Sequence, residues 1–225
     1  MEKHKQTNPV ISKQRVKEHG EVFTQEREVN AMLDLVGNET ERIESRFLEP
    51  ACGTGNFLAP VLERKLFIVK RKYGSSQPDF ERMALSAVSS IYGVEILPDN
   101  VATCVDRLYN ILNDDYTKLF RNACKNEFRE SVLFVLRRNI LHGDALTLRS
   151  VNSKDYITFS EWSLVKGGMV KRRDFRFAEL ADFDPNRPTL FSKKEISDTG
   201  EAVFSPMPVK EFPLTHYLSL NTYES

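Results

Sequence analysis

The chain has 225 residues, enough for one ordinary domain with a substantial core, and its 32 Lys and Arg balance its 32 Asp and Glu. That balance excludes a globally basic nucleic-acid binder, so any DNA contact has to be local or come from a partner. No apolar run approaches the ~20 residues of a membrane span and the opening MEKHKQTNPV has no apolar signal-peptide core, so a soluble cytoplasmic protein is expected.

Residues 1–19 are polar and patternless and read as an arm. GEVFTQEREVNAMLDLVG then places Val29, Met32, Leu33 and Val36 at helical spacing, with Thr24 as the expected N-cap and Gly37 as the stop. Arg46, Phe47 and Leu48 form a short strand that runs into EPACGTGNF, and a helix follows through Leu58, Val61, Leu62, Leu66 and Val69, with Pro60 early enough to be tolerated. Phe80 to Val88 is a second helix, and SSIYGVEIL is a buried strand. Asp99 or Asn100 is expected to cap the next helix, which carries Val101, Cys104, Val105, Leu108 and Leu112 on one face. A further helix from about Tyr116 to Arg137 precedes the strand NILHGDAL. Strands alternating with helices predict an open, mostly parallel α/β sheet.

Beyond Leu148 the pattern changes. YITFSEWSLVKGGMVKRRDFRFAEL reads as a hairpin turning at Gly167 and Gly168, and the proline-rich remainder is expected to be loosely ordered or partner-dependent. Cys52, Cys104 and Cys124 show no C-x-x-C spacing and are expected reduced. With no H-E-x-x-H among its histidines, the chain is expected to hold no metal. His142, alone on a strand, reads as a packed or hydrogen-bonded imidazole rather than a catalyst.

The strand-turn-helix around Gly53 and Gly55 aims backbone N–H groups at a ligand near the positive end of a helix. Glu49 at the strand end disfavours a close polyphosphate and favours a ligand pairing a cationic group with an anionic one, as a sulfonium amino acid does. A third glycine, wanted for a dinucleotide site, is missing near Leu58.

LEPACGTGNF resembles the first motif of amino-methylating DNA methyltransferases, especially the adenine-modifying M subunits of restriction-modification systems in the N-6 DNA methylase family. Three further segments match in that family's order. GEVFTQEREVNAMLDLV is similar to the segment that closes over the methionine part of S-adenosyl-L-methionine. IYGVEILPDNVATCVDRL is similar to the second strand and helix, and NILHGDAL to the third strand end. The resemblance covers residues 20–148 and implies a Rossmann-like methyltransferase sheet with helices on both faces, incomplete relative to the full family fold; residues 149–225 form an extension. It implies a cofactor site of Thr24, Glu49, Pro50, Ala51, Gly53, Gly55, Asn56, Phe57, Glu95, Ile96, Asp144 and Ala145. Glu95 would take the ribose hydroxyls, Ile96 would lie against the adenine ring, Asp144 would receive the adenine amino group, and Ala145 would offer its backbone. Each has a plainer reading as well: Thr24 as an N-cap, Glu49 as a solvated acid, Asp144 as a turn former, Phe57 as core.

Methylating a base amino group calls for alignment of a flipped base more than for a strong base. The family aligns it with a turn of Asp or Asn, two prolines and an aromatic residue, and this chain has no such turn; DFDPNRPTLF, Asp182 to Phe191, is a faint echo. Trp162 and Phe159 are candidates for stacking a base or, more simply, core aromatics. The family's strand beside motif one is missing too, leaving YITFSEWSLV or another chain to fill its place. VKRRDFRF, basic and aromatic, suits nucleic acid, a partner or a solvated face equally. The expected role is the cofactor-binding subunit of an adenine-type DNA methyltransferase, acting on double-stranded DNA with a second methyltransferase or specificity subunit. The alternatives are a non-catalytic regulatory subunit and a methyltransferase acting on RNA or a small molecule.

Overall fold

A computed structural model describes residues 24–181, 192–196 and 202–224. The chain opens with α1 (Glu26–Leu35), α2 (Gly37–Thr40), β1 (Phe47–Glu49), α3 (Leu58–Tyr73), α4 (Gln77–Ser89) and β2 (Ile91–Glu95). It continues through α5 (Pro98–Phe120), α6 (Asn126–Asn139), β3 (Ile140–Asp144) and β4 (Arg149–Ser150). The first sheet runs β1-β2-β3-β4, parallel over its first three strands and antiparallel at the short β4. The expected parallel α/β sheet is therefore present.

Three helix boundaries differ from the sequence reading. Gln25, not Thr24, caps α1, and the backbone N–H of Gln25 donates to Glu28 Oε2 at 3.3 Å. α5 begins at Pro98 with Leu97 as its cap rather than Asp99 or Asn100, because proline suits the first helical position. The expected helix from Tyr116 to Arg137 is two, since Arg121 sits at φ +48° and a residue in the left-handed region breaks the hydrogen-bond ladder.

Alternation along each strand separates two layers. Phe47, Ile91 and Ile140 face a large core built by helices α1 and α3 to α6, in which Leu58, Leu62, Phe80, Leu108, Tyr116, Phe128 and Leu136 are fully buried. Tyr92, Val94 and Leu141 face the other way. They are covered by Ile157 and Phe159 of the β5 strand (Thr158–Leu164) and its approach, together with Phe177. Over these residues a strand hairpin replaces the second helical layer, which corrects the expectation of helices on both faces. The chain leaves β3 into a hairpin, not into another strand-helix unit.

β5 pairs along its length with β6 (Met169–Arg176), turning through Lys166–Gly168 as expected, with Gly167 and Gly168 both at positive φ. β5 does not fill the place beside β1, since β1 pairs only with β2 among the described residues. After α7 (Phe177–Ala181), β7 (Ser192–Ile196) and β8 (Ala202–Pro206) form a separate hairpin. DFDPNRPTLF lies outside the described residues.

The end of the chain is not the loose tail expected. β9 (Lys210–Glu211) and β10 (Thr215–His216) both pair with β6, and Tyr217 and Leu220 are buried in the helical core. Phe212, Tyr223, Trp162 and Phe134 surround the Arg172 guanidinium, which lies 4.0 Å from the Phe212 ring centre and pairs with Asp174 through Nη2 at 2.9 Å. Trp162 also donates to Asn139 Oδ1 at 3.0 Å, and Phe159 is buried, so both aromatics belong to the core and neither is placed to stack a base.

Candidate functional site

A cleft of about 750 Å³ opens at the carboxyl ends of β1, β2 and β3. In open parallel sheets ligands bind in the crevice at this end of the strands, where connecting loops diverge. Every candidate site residue lines it except Gly55: Thr24 and α1 on one side, the Glu49-to-Phe57 turn at the base, Glu95 and Ile96 beside it, Asp144 and Ala145 opposite. Residues more than a hundred positions apart in sequence thus meet at one cleft.

The turn is shaped by its two glycines. Gly53 and Gly55 lie at φ +51° and +83°, a region that favours glycine. Gly55 is also pressed against α5, where an added Cβ would sit 2.9 Å from Cys104 Sγ. That packing explains why Gly55 supports the cleft from behind instead of lining it. The Cys52 N–H donates to Val94 O at 3.0 Å, and the Gly55 N–H to Cys52 O at 2.8 Å, so the turn is bound to β2 before the helix starts. A hydrogen bond to Cys104 and burial push the Cys52 thiol pKa up and keep it protonated.

Glu95 is 8% exposed and accepts from the Gly53 N–H at Oε2 and the Leu97 N–H at Oε1, both at 2.9 Å. The Gly53 amide is therefore turned onto Glu95, not outward to a ligand as the turn alone suggested. A carboxylate has about four lone-pair sites, and these two bonds use one on each oxygen of Glu95. Glu49 is half-buried; burial pushes its carboxyl above the ordinary range, against a 3.4 Å bond from the Ala51 N–H that lowers it. A carboxylate so placed gains most from a cationic partner.

Asp144 behaves differently. Its Oδ1 accepts from the Leu146 and Thr147 N–H groups at 2.8 and 3.4 Å, and its Oδ2 from Thr147 Oγ1 at 3.0 Å. Those bonds, the Leu146 one first, hold its carboxyl below the usual range. The turn-forming role of Asp144 is thus realised, at the edge of the cleft that it lines.

Several contributors were not anticipated. Arg107 on α5 donates to Asn56 Oδ1 at 2.7 Å and orients that amide. His142 Nε2 lies 2.9 Å from Ile96 O, which fits the hydrogen-bonded imidazole read from sequence but gives it a partner at the cleft. Ile96 and Leu146 line the cleft with 47% and 96% of their surface exposed, so the rim is apolar. Only the helical phase of Arg107, one turn beyond Cys104, could have pointed to its position. Among the described residues no three His, Cys, Asp or Glu side chains gather as a metal would need, and no helix is long and apolar enough to cross a membrane.

No protein-family model matches the chain, and no curated protein and no solved structure matches it either. The cleft has to be read from its own chemistry.

Proposed function

We propose that the chain is the S-adenosyl-L-methionine-binding subunit of an adenine-type DNA amino-methyltransferase, with a Rossmann-like fold, acting in a restriction-modification or related defence system. The supporting observation is the convergence of Glu49, the Gly53 turn, Glu95, Ile96 and Asp144 on one cleft at the carboxyl ends of a parallel sheet. Its volume falls in the range of about 300–1,000 Å³ common for small-molecule sites. When bound, the cofactor supplies an activated methyl group on a sulfonium. The chain's own residues bind and orient: Glu49 offers a desolvated negative charge, Glu95 two remaining acceptor sites for vicinal hydroxyls, and Ile96 an apolar platform for a flat ring.

The base-holding turn and most DNA contacts come from a second chain. Phe159 and Trp162, the aromatics in reach by sequence, are committed to packing, and β1, paired among the described residues with β2 alone, offers a sheet edge that another strand can complete. Titration calorimetry with S-adenosyl-L-methionine is expected to give saturable one-to-one binding. Methyl transfer to double-stranded DNA is expected only when the partner chain is added. Efficient methylation by this chain alone overturns the split arrangement, and no binding overturns the cofactor reading.

A second reading is favoured by one observation: Glu95 and Asp144 are already well supplied with internal donors, as in a scaffold that holds its shape without a ligand. On that reading the chain is a non-catalytic regulatory subunit, and calorimetry separates the two.

A further inference from the structure

We infer that His142 is a positioning residue for the adenine end of the cleft, an inference that rests on the methyl-donor reading. His142 lies on β3 directly opposite Glu95 of β2 in the parallel register. Its Nε2 is 2.9 Å from Ile96 O. A carbonyl oxygen only accepts, so Nε2 carries the proton and donates. The other edge of the same peptide plane is the Leu97 N–H, which donates to Glu95 Oε1 at 2.9 Å.

The plane between Ile96 and Leu97 is therefore gripped on both sides, by an imidazole at its oxygen and a carboxylate at its nitrogen. With planarity fixed by the peptide bond, that double grip sets ψ of Ile96 and φ of Leu97. It decides where the Ile96 side chain points. An isoleucine standing 47% exposed on a cleft wall has every hydrophobic reason to fold inward, and the gripped plane holds it out as a surface for a flat heteroaromatic ring. The same grip keeps Glu95 Oε1 from rotating, so the acid for the ribose and the platform for the base are aligned by one imidazole. His142 itself does not line the cleft, so it acts through Ile96 and Glu95.

The test compares His142→Ala and His142→Gln with the unchanged chain by calorimetry against S-adenosyl-L-methionine and 5′-methylthioadenosine. His142→Ala is expected to weaken both ligands by the same factor, about tenfold, since one hydrogen bond at the shared nucleoside end is lost. His142→Gln, whose amide can donate to the same carbonyl, is expected to recover most of that loss. In an Ile96→Ala background His142→Ala is expected to cost clearly less than in the unchanged chain, because the platform it orients is gone and only the alignment of Glu95 is left to lose. Amide hydrogen exchange at Leu97 in the ligand-free chain is expected to be faster in His142→Ala and restored in His142→Gln. Unchanged affinity in His142→Ala, or an equal loss in the Ile96→Ala background, overturns the inference. If the unchanged chain binds neither ligand, the methyl-donor reading fails and takes the adenine role with it. Leu97 exchange then shows separately whether His142 holds the plane.

Discussion

The two ends of the parallel sheet are built to opposite rules. At the amino ends of β1 and β2, polar groups are buried and saturated. Lys65, fully buried on α3, donates to Ile43 O at 3.0 Å, to Ser90 Oγ at 2.6 Å and to Ser45 O, with the Phe47 ring beside it. Asn139 donates to Ser89 O and Ile91 O and accepts from Trp162. Deeper in the helical layer, Glu81 accepts from Gln77, Tyr116, Lys125 and Tyr217. At the carboxyl ends the balance shifts: among the described residues no cation pairs with Glu49, Glu95 accepts only two bonds, and Ile96 and Leu146 stand out of the core, although Asp144 is tied to its own turn. One end spends its polar groups on holding the fold, and the other sets several of them along an open cleft.

Substitutions at the two ends should therefore separate stability from binding. The largest expected effect is at the saturated side. Glu81→Ala leaves two tyrosines and a lysine without their shared acceptor and is expected to lower unfolding stability by about 3–5 kcal/mol in urea titrations. Burial raises the Glu81 pKa but the bonds from Lys125, Tyr116, Tyr217 and Gln77 outweigh it, so the net shift is downward. Its contribution is present above the ordinary glutamate range and is lost as pH falls through the depressed value.

Lys65 carries the opposite sign. Burial lowers its pKa from 10.5 to about 7, against the attraction of Glu44 and Glu39. Below pH 7 the folded chain bears the full cost of the buried charge, so stability is expected to rise from pH 7 toward 10.5 by at most about 1.4 kcal/mol per pH unit. Lys65→Met should flatten that rise in thermal or urea unfolding followed across pH.

Next comes Gly55→Ala, which meets both a left-handed backbone and the Cys104 sulfur. About 3 kcal/mol of stability and, on the proposed reading, most S-adenosyl-L-methionine binding are expected to go together, since Gly55 both packs on α5 and shapes the turn of the cleft. The smallest expected change is at Glu49. Glu49→Gln removes a carboxylate that burial disfavours, so stability at pH 7 should hold or rise slightly, while affinity for S-adenosyl-L-methionine falls about tenfold, or ~1.4 kcal/mol. Because the Glu49 pKa is raised, that affinity should weaken as pH drops through it, and Glu49→Gln should lose this pH dependence. A Glu49→Gln chain destabilised as severely as Glu81→Ala would erase the contrast between the ends.

Local signals made much of this legible from sequence. Helical spacing located α1, α3, α4 and α5, and short apolar runs bounded by turn residues located β2 and β3. The strand-turn-helix at Gly53 led to the cleft because ligand placement at strand ends follows from topology. What escaped had causes outside any window. Arg121 took a left-handed conformation that no glycine announced. Tyr217 and Leu220 lie in a proline-rich stretch without periodicity, since a segment laid across helices needs only two or three well-placed apolar groups. The bond from the Gly53 N–H to Glu95 depends on where a distant amide arrives, and the His142 grip on Ile96 exists only once β2 and β3 are in register.

The bond from Tyr217 to Glu81 spans 136 positions of sequence. During synthesis Glu81 leaves the ribosome long before the hydroxyl that completes its coordination, so α4 and α6 pass through an interval with an exposed apolar seam. Seam closure should then be a late event in folding, and a chaperone that binds nascent apolar surface would find its longest opportunity there.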